Sequence, residues 1–139
     1  MLPKVYQVNY THMLRYRPLP NHEGVYPVAE IQVSNNQHAV DFPAVIDTGA
    51  MFSLISGEYA IALGLQLTNG ANTQLSSLGG SIAAWIHSVN MKMLDLEFRM
   101  NLRFADRTLP RNIIGRDVLE RVQIGFREYH STVLLLPQQ

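Results

Sequence analysis

The chain has 139 residues, 47% hydrophobic and 16% charged, with eleven basic side chains balanced by eleven acidic ones and no cysteine. That length suits one domain with a sizeable core, and the zero net charge excludes a broad electrostatic footprint for nucleic acid or acidic lipid. Disulfides and cysteine-based zinc sites are excluded, while the small charged fraction leaves apolar surface for which self-association is a natural use.

Residues 1–24 are punctuated by Pro3, Pro18, Pro20 and Gly24 and are expected to form an N-terminal arm, with residues 25–139 as the domain proper. Within the arm, Val5 to Tyr10 alternates like a strand. Met1 to Tyr6 lacks the apolar core of a signal peptide, and no apolar run is long enough to cross a bilayer. A soluble, cytoplasmic protein without a membrane segment is expected, although a piece cut from a longer or anchored precursor would read the same. Val25 to Val33 and His38 to Ile46 read as two strands of a hairpin joined at Ser34-Asn35-Asn36-Gln37. The second strand delivers Asp47 at its far end.

Val45-Ile46-Asp47-Thr48-Gly49-Ala50 is the most informative stretch. A carboxylate at the end of a buried strand loses solvation, so its proton affinity becomes adjustable by neighbours. Gly49 allows a sharp turn and close approach of a ligand chain, and the Thr48 hydroxyl can pin the loop. An Asp-Thr-Gly triplet arises by chance in about 2–3% of chains of this length, given average residue usage. The ordinary alternative is a polar turn capped by Asp47, but apolar residues on both sides, including Phe52-Ser53-Leu54-Ile55, argue against a surface turn.

Further along, Ser56 to Gly64 reads as a short helix with Ser56 as N-cap and Gly64 as its stop. Gln66 to Val89 is strand-rich and broken at Gly79-Gly80. Met91 to Phe104 alternates, its methionines fitting a core better than an adaptable binding face. Gly115 to Arg121 reads as helix, and Val122 to Phe126 and Thr132 to Leu136 as closing strands. Many short strands separated by turns predict an all-β sandwich or closed barrel with one or two short helices. The five histidines show no metal-ligand spacing, and phosphate-loop, dinucleotide and Gly-x-Ser-x-Gly patterns are absent, so no cofactor or metal is expected.

Leu109-Pro110-Arg111-Asn112-Ile113-Ile114-Gly115-Arg116-Asp117-Val118-Leu119, following the Asp-Thr-Gly loop, resembles the second motif of the retroviral-type (retropepsin) aspartic proteases. The resemblance spans residues 25–136 in the family's order: acid loop, flap, Ile-Ile-Gly strand, helix, closing strands. It implies an aspartic endopeptidase active as a homodimer. Each subunit would give one Asp47 to a shared pair that activates water for peptide hydrolysis, with Thr48 bonding across the two-fold axis and Gly49 completing the catalytic loop. It also implies a flap over the bound peptide, with Leu75 to Trp85 in its position. Ala50, Leu78, Gly79, Gly80 and Ser81 are the implied substrate-binding residues, and Trp85 is either a pocket wall or a core aromatic.

Two departures stand out. Ala50 has no hydroxyl to stabilise an ionised carboxylate, which favours a weakly acidic to neutral pH optimum over a strongly acidic one. The family's acid that pairs with the arginine matching Arg116 is here Met51, leaving Arg116 to seek Asp117, Glu120 or another chain. Asp117 then reads most simply as a first-turn acid favoured by the helix dipole. The family's dimer seam is a sheet of chain ends, for which Leu2 to Val8 and Thr132 to Leu136 are the candidate strands. The competing reading is a catalytically inactive module of the same fold that dimerises or binds peptides, and a third is a monomer in which Asp47 is only structural.

Overall fold

The computed structural model describes residues 7–138, apart from the side chain of Ser77. Ten strands dominate: β1 (His12–Arg15), β2 (Val28–Asn35), β3 (His38–Ile46), β4 (Leu54–Ile55), β5 (Ala71–Ser77), β6 (Gly80–Met93), β7 (Leu96–Ala105), β8 (Asn112–Ile114), β9 (Val122–Arg127) and β10 (Thr132–Pro137). Two short helices, α1 (Glu58–Ala62) and α2 (Arg116–Leu119), complete the fold with two single 3-10 turns.

Strand order β2-β3-β8-β4-β7-β6 returns to β2, because Ile31 to Ser34 also pair with Asn90 to Met93. This closes a six-stranded barrel, with β5 extending it as the outer strand of a hairpin with β6. Inward alternation accounts for the closure. On β3, Phe42, Ala44 and Ile46 are buried while Asp41 and Pro43 face out. Ile31 and Val33 of β2, and Leu102 and Phe104 of β7, meet them in one core, which Met91 and Met93 fill at 0% and 1% exposure. The methionines are core residues, as their alternation predicts. Each of these side chains larger than alanine contributes roughly 1.5–3 kcal/mol when removed from water.

The turns follow local chemistry. Asn36 adopts φ 53° in the two-residue link between β2 and β3, and Leu94 adopts φ 56° between β6 and β7, a cost the surrounding register imposes. Gly64, at φ +76°, ends the turn after α1 as expected. Ser56 does not cap α1. Position Gly57 is the N-cap without a side-chain bond, and the Ser56 hydroxyl instead accepts the Leu109 N–H at 2.8 Å.

A second sheet of three strands, β1-β10-β9, packs Val122, Val133 and Leu135 into the same core. The expected strand at Val5 to Tyr10 falls partly outside the described residues, and its described part is irregular. The arm's strand lies at His12–Arg15, where four residues pair with Leu135 to Thr132. Val133 and Leu135 are fully buried beneath it. Alternation in a short segment does not say where a partner edge runs, and the His12 to Asp95 contact at 3.1 Å helps fix the observed register. Of the two strands expected at a dimer seam, Leu2 to Val8 lies mostly outside the described residues, and Thr132 to Leu136 is the central strand, flanked on both sides by the chain's own β1 and β9.

Candidate active site

The acid loop is held by the strand behind it. Strand β8 runs parallel to the end of β3, with Ala44, Val45 and Ile46 opposite Asn112, Ile113 and Ile114. The ladder's last bond, Asp47 N–H to Ile114 C=O at 2.9 Å, sets Asp47 at the point where the chain leaves the sheet. Asn112, buried at 8% exposure, accepts the Ser56 N–H at 2.9 Å and donates to Pro43 C=O at 3.3 Å, so both halves of its amide are used.

Within the loop, Gly49 N–H donates to Asp47 Oδ1 at 2.9 Å, and Ala50 N–H returns to Asp47 C=O at 3.2 Å. Gly49 lies outside the left-handed region; a Cβ there would sit 3.1 Å from Asp47 Oδ1. Room beside the carboxylate is therefore the reason for glycine. Gly115 is constrained more severely, since a Cβ would come within 2.7 Å of Ala50 C=O and 2.8 Å of the Phe52 backbone. That close crossing lets Arg116 N–H donate to Ala50 C=O at 2.8 Å and Asp117 N–H to Met51 C=O at 3.2 Å, binding helix to loop.

Asp117 does more than favour a helix dipole. Its carboxylate accepts the Ser53 N–H at 2.9 and 3.0 Å and the Ser53 hydroxyl at 2.6 Å, while Ser53 Oγ accepts the Gly115 N–H at 2.9 Å. Ser53 has 0% exposure, so this chain of bonds is a buried brace under the loop. Arg103 stacks on the Phe52 ring with its guanidinium carbon 3.6 Å from the centroid. Burial pulls the Arg103 pKa below its ordinary value, and the nearby Asp117 charge partly offsets this. Neither Ser53 nor Arg103 is singled out by the motif. Ser53 sits in an apolar-looking run, and Arg103 is distant in sequence.

Asp47 opens into a cleft of about 480 Å³, floored by Gly49, Ala50, Met51 and Ile113 and walled by Phe52, Leu54 and Arg116. Across it lie Leu75, Ser76 and Ile82 of the β5–β6 hairpin. The expected flap residues are distributed differently. Leu78 and Gly79 form the turn, with Leu78 wholly exposed, and Gly80 at φ +120° begins the return strand. Leu78, Gly79, Gly80 and Ser81 form the tip beyond the cleft lining, and the hairpin's arms face Asp47. Thr48 is exposed, and its hydroxyl has no partner among the described residues. Trp85 is half-buried outside the cleft, between Asn72 and Phe104 in the sheet. A groove of about 510 Å³ between β1 and β2 carries Arg15, Arg17 and Lys92 against Glu30 and Asp41, with Arg17 already paired to Glu30. Its mixed charges converge on no common chemistry. Among the described residues no cluster of three His, Cys, Asp or Glu side chains is suited to a metal, and no helix is long and apolar enough to cross a membrane.

An acid loop backed by a crossing strand and faced by a hairpin, on a closed barrel, is the retropepsin-type fold. A retropepsin-like aspartic protease from Rickettsia conorii superposes with TM-score 0.60 at 20% identity, over 91% of this chain and 99% of that one. The protease of EIAV, solved with the inhibitor HBY-793, gives TM-score 0.56 at 22% identity, over 72% of this chain and 89% of the viral one. No curated protein sequence matches the chain. Residues 31–121 match the family model described as "gag-polyprotein putative aspartyl protease", and the chain belongs to that family.

Proposed function

We propose that the protein is an aspartic endopeptidase that works as a homodimer, each subunit contributing Asp47. The observation that carries this reading is the shared cleft, in which a half-buried carboxylate faces the arms of a hairpin across a peptide-sized space. One carboxyl cannot act as acid and base at once. Two brought together share a single proton, because like charges a few ångströms apart resist joint ionisation. The ionised member would draw a proton from water while the protonated one polarises the scissile carbonyl. Thr48, exposed and without a side-chain partner among the described residues, suits a bond to its counterpart across the axis. Gly49 keeps its N–H on Asp47 and leaves the carboxylate approachable. Ala50 would border the bound peptide, and Leu78 to Ser81 would close over it as the flap tip.

In this reading residues 25–139 are the catalytic domain, and residues 1–24 form an arm that braces it through β1. A homodimeric peptidase of a soluble compartment, taking peptide or protein substrates and needing no cofactor, is the resulting picture. Asp47→Asn is expected to lower peptide hydrolysis by at least about 10²-fold, the span of general acid–base catalysis, with the melting temperature kept. Unchanged turnover would remove Asp47 from the mechanism. Binding of a statine-type inhibitor that rises with subunit association would tie the site to the dimer. The alternative is an inactive peptide-binding module, favoured by the loss of the acidic partner at Met51. Peptide binding without cleavage of any member of a diverse library would select it.

A further inference from the structure

We propose that Arg116 selects peptides carrying a carboxylate side chain close to the scissile bond. This deepens the peptidase reading and rests on it.

Arg116 lines the same cleft as Asp47, and its side chain is exposed. Its backbone is fixed, since its N–H donates to Ala50 C=O at 2.8 Å. Its guanidinium takes no hydrogen bond, ion pair or ring contact from any described residue. The ion pairs among those residues are His12–Asp95, Arg17–Glu30 and Arg107–Asp106. The nearest acid in sequence, Asp117, is committed to Ser53 by three contacts. The position that would supply an acidic partner holds Met51, which is 58% exposed. A cation on a rigid base therefore borders the cleft with its donors unused by any described residue.

The rest of the lining is mostly apolar, with Ile113, Leu54 and Leu75 beside Phe52 and Met51. A peptide seated over this lining would exclude water and strengthen an ion pair formed there. A guanidinium presents a planar fork that matches a carboxylate with two parallel N–H···O bonds. The geometry also answers a specificity problem. An acidic peptide entering a site built on aspartates meets repulsion from their shared negative charge, and Arg116 offsets it on one side. A lysine-bearing peptide meets the opposite arrangement and is disfavoured beside Arg116.

The test is cleavage of matched peptides that differ only by Glu, Gln or Lys at each position flanking the scissile bond. The wild-type enzyme should favour Glu over Gln at one position or more by about fivefold in kcat/KM, the upper end for a partly exposed pair. The preference should shrink with added salt. Arg116→Lys should keep part of it, Arg116→Gln should abolish the Glu-to-Gln ratio, and Arg116→Glu should invert it toward Lys. Inversion is a readout that a merely structural role would not give. Equal cleavage of Glu, Gln and Lys peptides by wild type overturns the proposal and leaves the peptidase reading intact. So does a shift in dimer dissociation by Arg116→Gln with the ratio unchanged, which would assign Arg116 to the partner subunit. Failure of wild type to cleave any peptide sinks the peptidase reading and this proposal together. Binding of the same peptides to the Asp47→Asn protein, followed by fluorescence anisotropy, then shows whether charge selection exists without turnover.

Discussion

Asp117 holds Ser53 through both its backbone N–H and its hydroxyl, with Ser53 fully buried. Replacing Asp117 by Ala strands those donors away from water, a loss of about 1–3 kcal/mol. Chemical denaturation should register it as a lower midpoint, with activity falling further because the brace lies under the acid loop. A stability equal to wild type would deny the brace its role. Tyr16 offers a second test. Burial first, then its hydrogen bond and proximity to Glu128, pushes the Tyr16 pKa up to about 12. The folded state thus prefers the neutral phenol. The stabilisation is complete below the ordinary tyrosine value near pH 10 and is lost as pH rises toward about 12. An ultraviolet phenolate titration should show a late-ionising component that is lost in Tyr16→Phe and comes earlier in Glu128→Gln. Titration of every tyrosine together near pH 10 would contradict this.

The strand β10 shows why an apolar run needs partners on both sides. Val133 and Leu135 face the core, and β1 covers one backbone edge while β9 covers the other. Removing residues 1–15 uncovers four register positions of β10 and withdraws Leu14, which packs against the core. The shortened protein should melt earlier and aggregate, because an unpaired apolar edge recruits other chains. If it stays monodisperse and melts like the full chain, the arm is dispensable and the domain begins beyond it. The helices and hairpins were largely legible, since Gly64, Asn36-Gln37 and the alternation of β2 and β3 are local signals. The arm's strand was not, because its register depends on contacts far along the chain, such as His12 with Asp95. The hairpin within Leu75 to Trp85 was legible from Gly79-Gly80, but not which of its residues line the cleft, which are Leu75, Ser76 and Ile82. Which face of a hairpin looks inward is set by the barrel beneath it.

For the proposed dimer, the occupied edges of β10 matter most. Of the two strands expected at a dimer seam, Leu2 to Val8 and Thr132 to Leu136, the second has no free edge within this subunit. The proposed dimer would then use the outer edges of β1 or β9, the exposed loop at Thr48, or residues outside those described. Peptidase activity should rise more than linearly with protein concentration and track the dimer fraction in sedimentation velocity. Activity proportional to concentration in a solution shown to be monomeric would overturn the two-subunit mechanism.

Local chemistry along the chain was enough to mark Asp47-Thr48-Gly49, the Ile-Ile-Gly strand and the all-β architecture, because hydrophobic alternation and turn residues act over a few positions. Folding in three dimensions settled which groups meet. It set Ser53 against Asp117, Arg103 over Phe52, and Arg116 at Asp47's cleft with no partner among the described residues. Those pairings join residues up to 64 positions apart, as Ser53 and Asp117 are. Barrel closure alone fixes such distances, and no short window of residues encodes them.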